Sequence, residues 1–164
     1  VLKNWSSLVR APRVQMQGGR VAACVRELIP FDNMGVVRIE SGHRAVVHAS
    51  TIPCAAQDKM TWEPCSLTDW SPRLRPRPER YRRIEDTHGE LDPAFPVDRR
   101  ILEGGVRSSM REPFHSGDLF TGGVWLASYQ PNNFTDEHQE MLRPIAALLG
   151  SAVEHWRIWD APCC

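Results

Sequence analysis

The sequence has no excess of charge of either sign. It carries 20 basic and 20 acidic side chains among 164 residues, a formal net charge of 0. A domain that grips nucleic acid across a whole face shows a basic surplus, so that class is disfavoured and only a local patch is allowed. No apolar run approaches the ~18 residues of a membrane span, and no leader peptide is visible. The chain begins at Val1, which suggests a piece of a longer protein. No C-x-x-C pair is present either. The five cysteines, Cys24, Cys54, Cys65, Cys163 and Cys164, are an odd and badly spaced set for a disulfide framework or a zinc site. Free thiols in a reducing cytoplasm are the expectation. A glycine loop with lysine for phosphate and an H-E-x-x-H helix for zinc are both missing. Six scattered histidines give no support to a Ser-His-Asp set.

What is there suits one folded domain. Hydrophobic residues at 41% and charged residues at 24% are ordinary for a globular chain, and a chain this long hides roughly 70% of its unfolded surface. One stretch is locally basic. "PRLRPRPERYRR", Pro72 to Arg83, holds Arg73, Arg75, Arg77, Arg80, Arg82 and Arg83 against Glu79 alone. Its prolines favour extended chain, and "RYRRIED" reads as a strand with Arg80, Arg82 and Ile84 on one face and Tyr81, Arg83 and Glu85 on the other. Balanced total charge ranks a solvated connector plus strand first, anion recognition in a pocket second and a nucleic-acid arm last.

The pattern along the chain alternates helices and hairpins. "LKNWSSLVR" and "VAACVRELI" have helical spacing; in the second, Val21, Cys24, Val25, Leu28 and Ile29 form a stripe stopped by Pro30. "NMGVVRIE" and "RAVVHAS" flank "SGH" as a hairpin. The middle, Thr51 to Asp98, is proline-rich and irregular, with a short helix expected over Val97 to Leu102, closed by Gly104 and Gly105. "VRSSMREPF" and "FTGGVWLASY" flank "HSGD" as a second hairpin. A long helix follows, capped by Thr135, with Met141, Leu142, Ile145, Leu148, Leu149, Ala152, Val153 and Trp156 along one stripe and Pro144 expected to kink it. The order predicts an α+β fold with an antiparallel sheet and the terminal helices on one face.

Several motifs in this order resemble the GAF domain, the small-molecule sensor module of bacterial signalling and transcription regulators. They are Gly105-Val106-Arg107-Ser108, Pro113-Phe114, Gly123-Val124-Trp125-Leu126 and Phe134-Thr135-Asp136-Glu137, with "LIPFDNMGVVRIESG" as the entry to the first strand. The resemblance covers about residues 20 to 158, leaving 1–12 as an N-terminal extension and 160–164 as a tail of a single domain. It implies a central sheet of about six antiparallel strands, helices on one face, and loops with short helices enclosing a pocket on the other. It also implies a homodimer through the terminal helices, Leu2 to Val9 and Met141 to Trp159, an unidentified small-molecule ligand, and an output domain outside this chain. No membrane or direct nucleic-acid contact is implied.

Candidate ligand-binding residues are Trp62, Ser66, Trp70, Arg82, Ile84, Phe95, Ser108, Met110, Glu112 and Trp125. Such sites are largely apolar with a few polar groups. Strand alternation places Glu112 with Ser108 and Met110, and Arg111 with Arg107 on the opposite face. A charge in a buried strand needs a partner, so Glu112 is either an ion-pair residue or a contact for a polar ligand. The cysteine of bilin-carrying members is absent, since none stands in "EDTHGELDPAF"; His88 and His115 are possible haem ligands by type, with solvated loop histidines the first expectation. The leading expectation is a non-enzymatic sensor. A ligand-free dimerisation module comes next, then a thiol-dependent methionine sulfoxide reductase. The last would use Cys54 and Cys65 but lacks the further cysteine that such enzymes carry.

Overall fold

The computed structural model describes residues 20–40, 43–51, 65–78 and 82–160. The expected helix at Leu2 to Val9, Trp62, Cys54 and the tail lie outside the described residues.

Helix α1 occupies residues 20–26. Strands β1 (Asn33–Glu40) and β2 (Arg44–Ser50) form the first hairpin, and β3 (Cys65–Ser66) extends it. The middle supplies β4 (Arg82–Ile84), α2 (Thr87–Glu90) and α3 (Pro96–Glu103). Strands β5 (Ser108–Ser116) and β6 (Leu119–Ser128) form the second hairpin, and α4 (Asp136–Asp160) follows. The six strands make one sheet in the order β3-β2-β1-β6-β5-β4, antiparallel throughout. The expected α+β architecture is therefore the observed one.

Local chemistry fixes the element ends. Thr135 caps α4: its hydroxyl accepts from the His138 amide at 3.2 Å, while His138 Nδ1 accepts from the Thr135 amide at 3.2 Å. The helix continues through Pro144 to Asp160. Gly104 caps α3, and Gly105 takes a φ of 77°, a left-handed value that favours glycine.

The sheet separates two cores. On one face Met34, Val36, Met110, Phe114, Val124 and Leu126 pack against Ala22, Val25 and Ile29 of the first helical segment and Leu142, Ala146 and Val153 of α4. Of the stripe expected in the first segment, Cys24 and Leu28 point outward instead. Helix α4 comes so near β5 that a Cβ on Gly150 would stand 2.7 Å from Phe114 Cβ. On the other face Val37, Ala45 and Ile84 pack with Trp70, Leu74, Leu91 and Val97. Among the described residues this second layer is smaller and irregular, and it leaves an opening.

Candidate functional site

The wall of that opening is built by the middle segment. Ser66 caps a single 3-10 turn, Leu67–Asp69: its hydroxyl accepts from the Thr68 amide at 3.2 Å, and Asp69 Oδ2 accepts from the Ser66 amide at 3.1 Å. The turn sends Trp70 inward, where its indole N–H donates to Cys65 Sγ at 3.2 Å. Asp98, on α3 and 0% exposed, then pins the chain: Oδ1 accepts from the Ser71 amide at 3.1 Å and Oδ2 from the Asp92 amide at 3.2 Å. A buried carboxylate is tolerated only with such donors. From that anchor residues 71–75 make one turn, with Leu74 and Arg75 amides donating to the Ser71 carbonyl at 3.0 and 2.8 Å.

The result is a cleft between this segment and the sheet. Trp70, Leu74, Arg75, Pro76 and Arg77 form one side; Val37, Ile39, Arg111, Pro113, Phe120 and Trp125 form the other. Gly123, paired with Val37 and Pro113, leaves the floor between them bare. Gly35, directly opposite Trp125, makes room for its indole: a Cβ there would lie 2.4 Å from the ring.

Cationic groups concentrate on this face. The Arg111 guanidinium lies 5.1 Å from the centroid of the Trp70 ring, within cation–π range, and donates to the Leu74 carbonyl. Arg75 donates to the carbonyls of Leu67 at 2.9 Å and Trp70 at 3.5 Å. Other arginines of the basic stretch go elsewhere. Arg73 is paired with Glu90 and also donates to the Arg83 carbonyl at 3.0 Å. Arg83 is paired with Glu85 and with Asp136 at the start of α4, both at 2.6 Å, and these bonds raise its pKa. Burial acts to raise the Glu90 carboxyl, but Arg73 and the amides of Glu85 and Asp86 outweigh it, and the net shift is downward. Asp86 is also lowered, by its bonds from Arg107 and from the His88 amide.

The opposite side of β5 is closed. Glu112 is 7% exposed; it borders the cleft through the strand, but its carboxylate is engaged by α4. Gln139 Nε2 donates to it, and Arg143 lies 3.5 Å away. Gln139 Nε2 also reaches the carbonyl of Arg111 at 3.3 Å, while its own Oε1 is buried without a hydrogen-bond partner. Burial is the largest influence on Glu112 and raises its carboxyl above the usual range, against the pull of Gln139 and Arg143.

The structure brings some candidates together and separates others. Trp70 and Trp125 meet in the cleft, and Ile84 lies in the core beside it. Arg82 pairs in register with Arg111. Alternation along β5 is as expected, but the faces are exchanged: Arg111 serves the cleft, while Met110 packs in the helix-side core and Glu112 is bound by α4. Ser108 is buried near the end of β6, donating to the Gln130 carbonyl at 2.6 Å. Ser66 is an exposed cap, and Phe95 is the half-buried N-cap of α3, outside the cleft lining. Leu74, Arg75, Arg77 and Arg111 were not among the candidates. Three of them stand in the basic stretch, ahead of its strand end.

No family model and no curated protein matches the sequence. Solved structures do match the fold. A GAF domain/HD domain protein from Geobacter sulfurreducens superposes with a TM-score of 0.65 at 16% identity, over 85% of this chain and 91% of that one. The phycocyanobilin-bound GAF domain of a cyanobacterial phytochrome gives a TM-score of 0.65 at 17% identity, over 98% and 100%. GAF3 from Slr1393 of Synechocystis gives 0.63 at 17%, over 89% and 96%. The fold is that of a GAF domain. Among the described residues no helix is long and apolar enough to cross a membrane, and no three His, Cys, Asp or Glu side chains gather as metal ligands.

Proposed function

We propose that this chain is a non-enzymatic sensory domain of a bacterial signalling or transcriptional regulator, acting in the cytoplasm. A small molecule enters the cleft, and the terminal helices carry the signal to an output domain outside the chain. One observation carries the reading: β5 faces the cleft through Arg111 and holds α4 through the next residue, Glu112. Gln139 bonds both the Arg111 carbonyl and the Glu112 carboxylate. A ligand that draws Arg111 off Trp70 or Leu74 therefore pulls on the strand to which α4 is attached, a differential contact of the kind a population shift requires. The GAF neighbours belong to signalling proteins such as a phytochrome, which supports the sensory class.

Native mass spectrometry of the purified chain is the test. A retained small molecule, released on unfolding, supports the reading; an apo mass alone, with no thermal shift from a broad library of neutral and charged compounds, contradicts it. A second reading, a ligand-free dimerisation module, is favoured by exposed apolar residues on α4 and in the turn after α1, Leu148 at 73% and Leu28 at 57%. Homodimerisation through α4 fits both readings. Light scattering should show a dimer that Leu148→Glu shifts towards monomer; a monomer at high concentration would rule the interface out for this chain.

A further inference from the structure

We propose that the ligand of this cleft is a small aromatic carboxylate, its ring against the half-buried indole of Trp125 and its carboxylate on Arg75 and Arg77. The proposal rests on the sensory reading above and adds the chemical class. The walls are flat and apolar, and the two glycines shape them: Gly123 leaves a bare floor, and Gly35 lets the Trp125 indole lie against β1. Flat faces of this kind gain most from another ring, by offset or edge-to-face contact.

Charge selects the rest of the ligand. Arg75, Arg77 and Arg111 line the cleft. Among the described lining residues the one carboxylate is Glu112, and α4 holds it on the far side of the strand. Arg75 is held by two carbonyls, which orient a guanidinium without neutralising it. Arg77 is exposed at the mouth and has no ion-pair partner among the described residues. The neighbouring arginines differ: Arg73, Arg83 and Arg107 each have a carboxylate. Among the described residues this leaves Arg75 and Arg77 without a carboxylate, and a planar carboxylate fits such a guanidinium fork with two parallel bonds. A cation finds no facing acid among the described lining residues. A neutral ring fills the walls but leaves the arginine charge unanswered, and inorganic phosphate answers the charge but leaves the walls empty.

The test titrates the purified chain with benzoate and 2-naphthoate beside their neutral amides, benzamide and 2-naphthamide, and with inorganic phosphate. Calorimetry and tryptophan fluorescence read binding. At least one carboxylate should bind saturably, about tenfold or more tighter than its amide, as a charge-assisted hydrogen bond of ~1.5–3 kcal/mol demands. Arg77→Gln and Arg75→Gln should each weaken the carboxylate several-fold, leave the amide unchanged, and keep the circular dichroism spectrum. An amide that binds as tightly as its acid overturns the charge assignment and leaves the sensory reading standing. Phosphate binding as tightly as the aromatic acids overturns the ring assignment. No binding by any of these probes overturns the aromatic-acid class, and the retained-molecule experiment then decides separately whether the cleft is a sensor at all.

Discussion

The two faces of strand β5 differ although their residues alternate one by one. Met110, Glu112 and Phe114 face a helix of 25 residues, and that side is packed shut. Arg111 and Pro113 face a proline-rich segment tied down by one buried carboxylate, Asp98, and that side stays open. A regular helix supplies a continuous apolar stripe that can close on a sheet. The irregular segment supplies Trp70 and Leu74 but no continuous apolar stripe, and a cleft remains along residues 74–77.

Truncation on the closed side should cost the most. Phe114→Ala should cost about 3–5 kcal/mol in denaturant unfolding, because the ring is fully buried beneath Gly150 and little can collapse into its place. The matching truncation on the open side, Ile39→Ala, should cost about 1 kcal/mol or less, since part of its surface already faces the cleft. Equal costs would mean that the cleft is packed as tightly as the helix side. Asp98→Asn should cost about 1–3 kcal/mol, because one of its two acceptor positions becomes a donor facing a backbone N–H. It should also raise hydrogen exchange at residues 70–77 while leaving α4 unchanged.

The closed side should also respond, more weakly, to pH. The raised Glu112 carboxyl holds its proton to higher pH in the folded state than in the unfolded chain. Stability then falls as pH rises from the usual carboxyl range through the raised value. Glu112→Gln removes that slope: its Tm should exceed the parent's at about pH 7.5, and the gap should close by about pH 4. A gap that instead widens on acidification would show that the ionised Glu112 is the stabilising form. Glu90 has the opposite sign. Its lowered carboxyl gives stability present at neutral pH and lost as pH falls through the lowered value.

The sheet and the long helix were legible in the sequence because both are periodic. The two hairpins carry period-two apolar runs around glycine turns, and α4 opens on a threonine cap before its stripe. Strand alternation also placed Arg111 and Glu112 on opposite faces. Which face carried the cleft was not legible, because alternation gives parity and not direction. That choice depends on Gln139, 27 residues further on, reaching Glu112 from α4. The fate of the arginines was hidden for the same reason. Arg73, Arg75 and Arg83 look alike in "PRLRPRPERYRR", yet Glu90 and Asp136 claim two of them from distant parts of the chain. Asp98 gave no sequence signal, since its partners are backbone amides.

On the proposed sensory reading, cleft and helix communicate across β5. Hydrogen–deuterium exchange on the chain with its retained or added small molecule, compared with the same chain stripped of it, tests this most directly. Changes in protection should occur both at residues 70–77, the cleft wall, and at residues 139–143, where Gln139 and Arg143 grip the strand. A change confined to the cleft wall, with α4 exchanging identically in both states, would contradict the account.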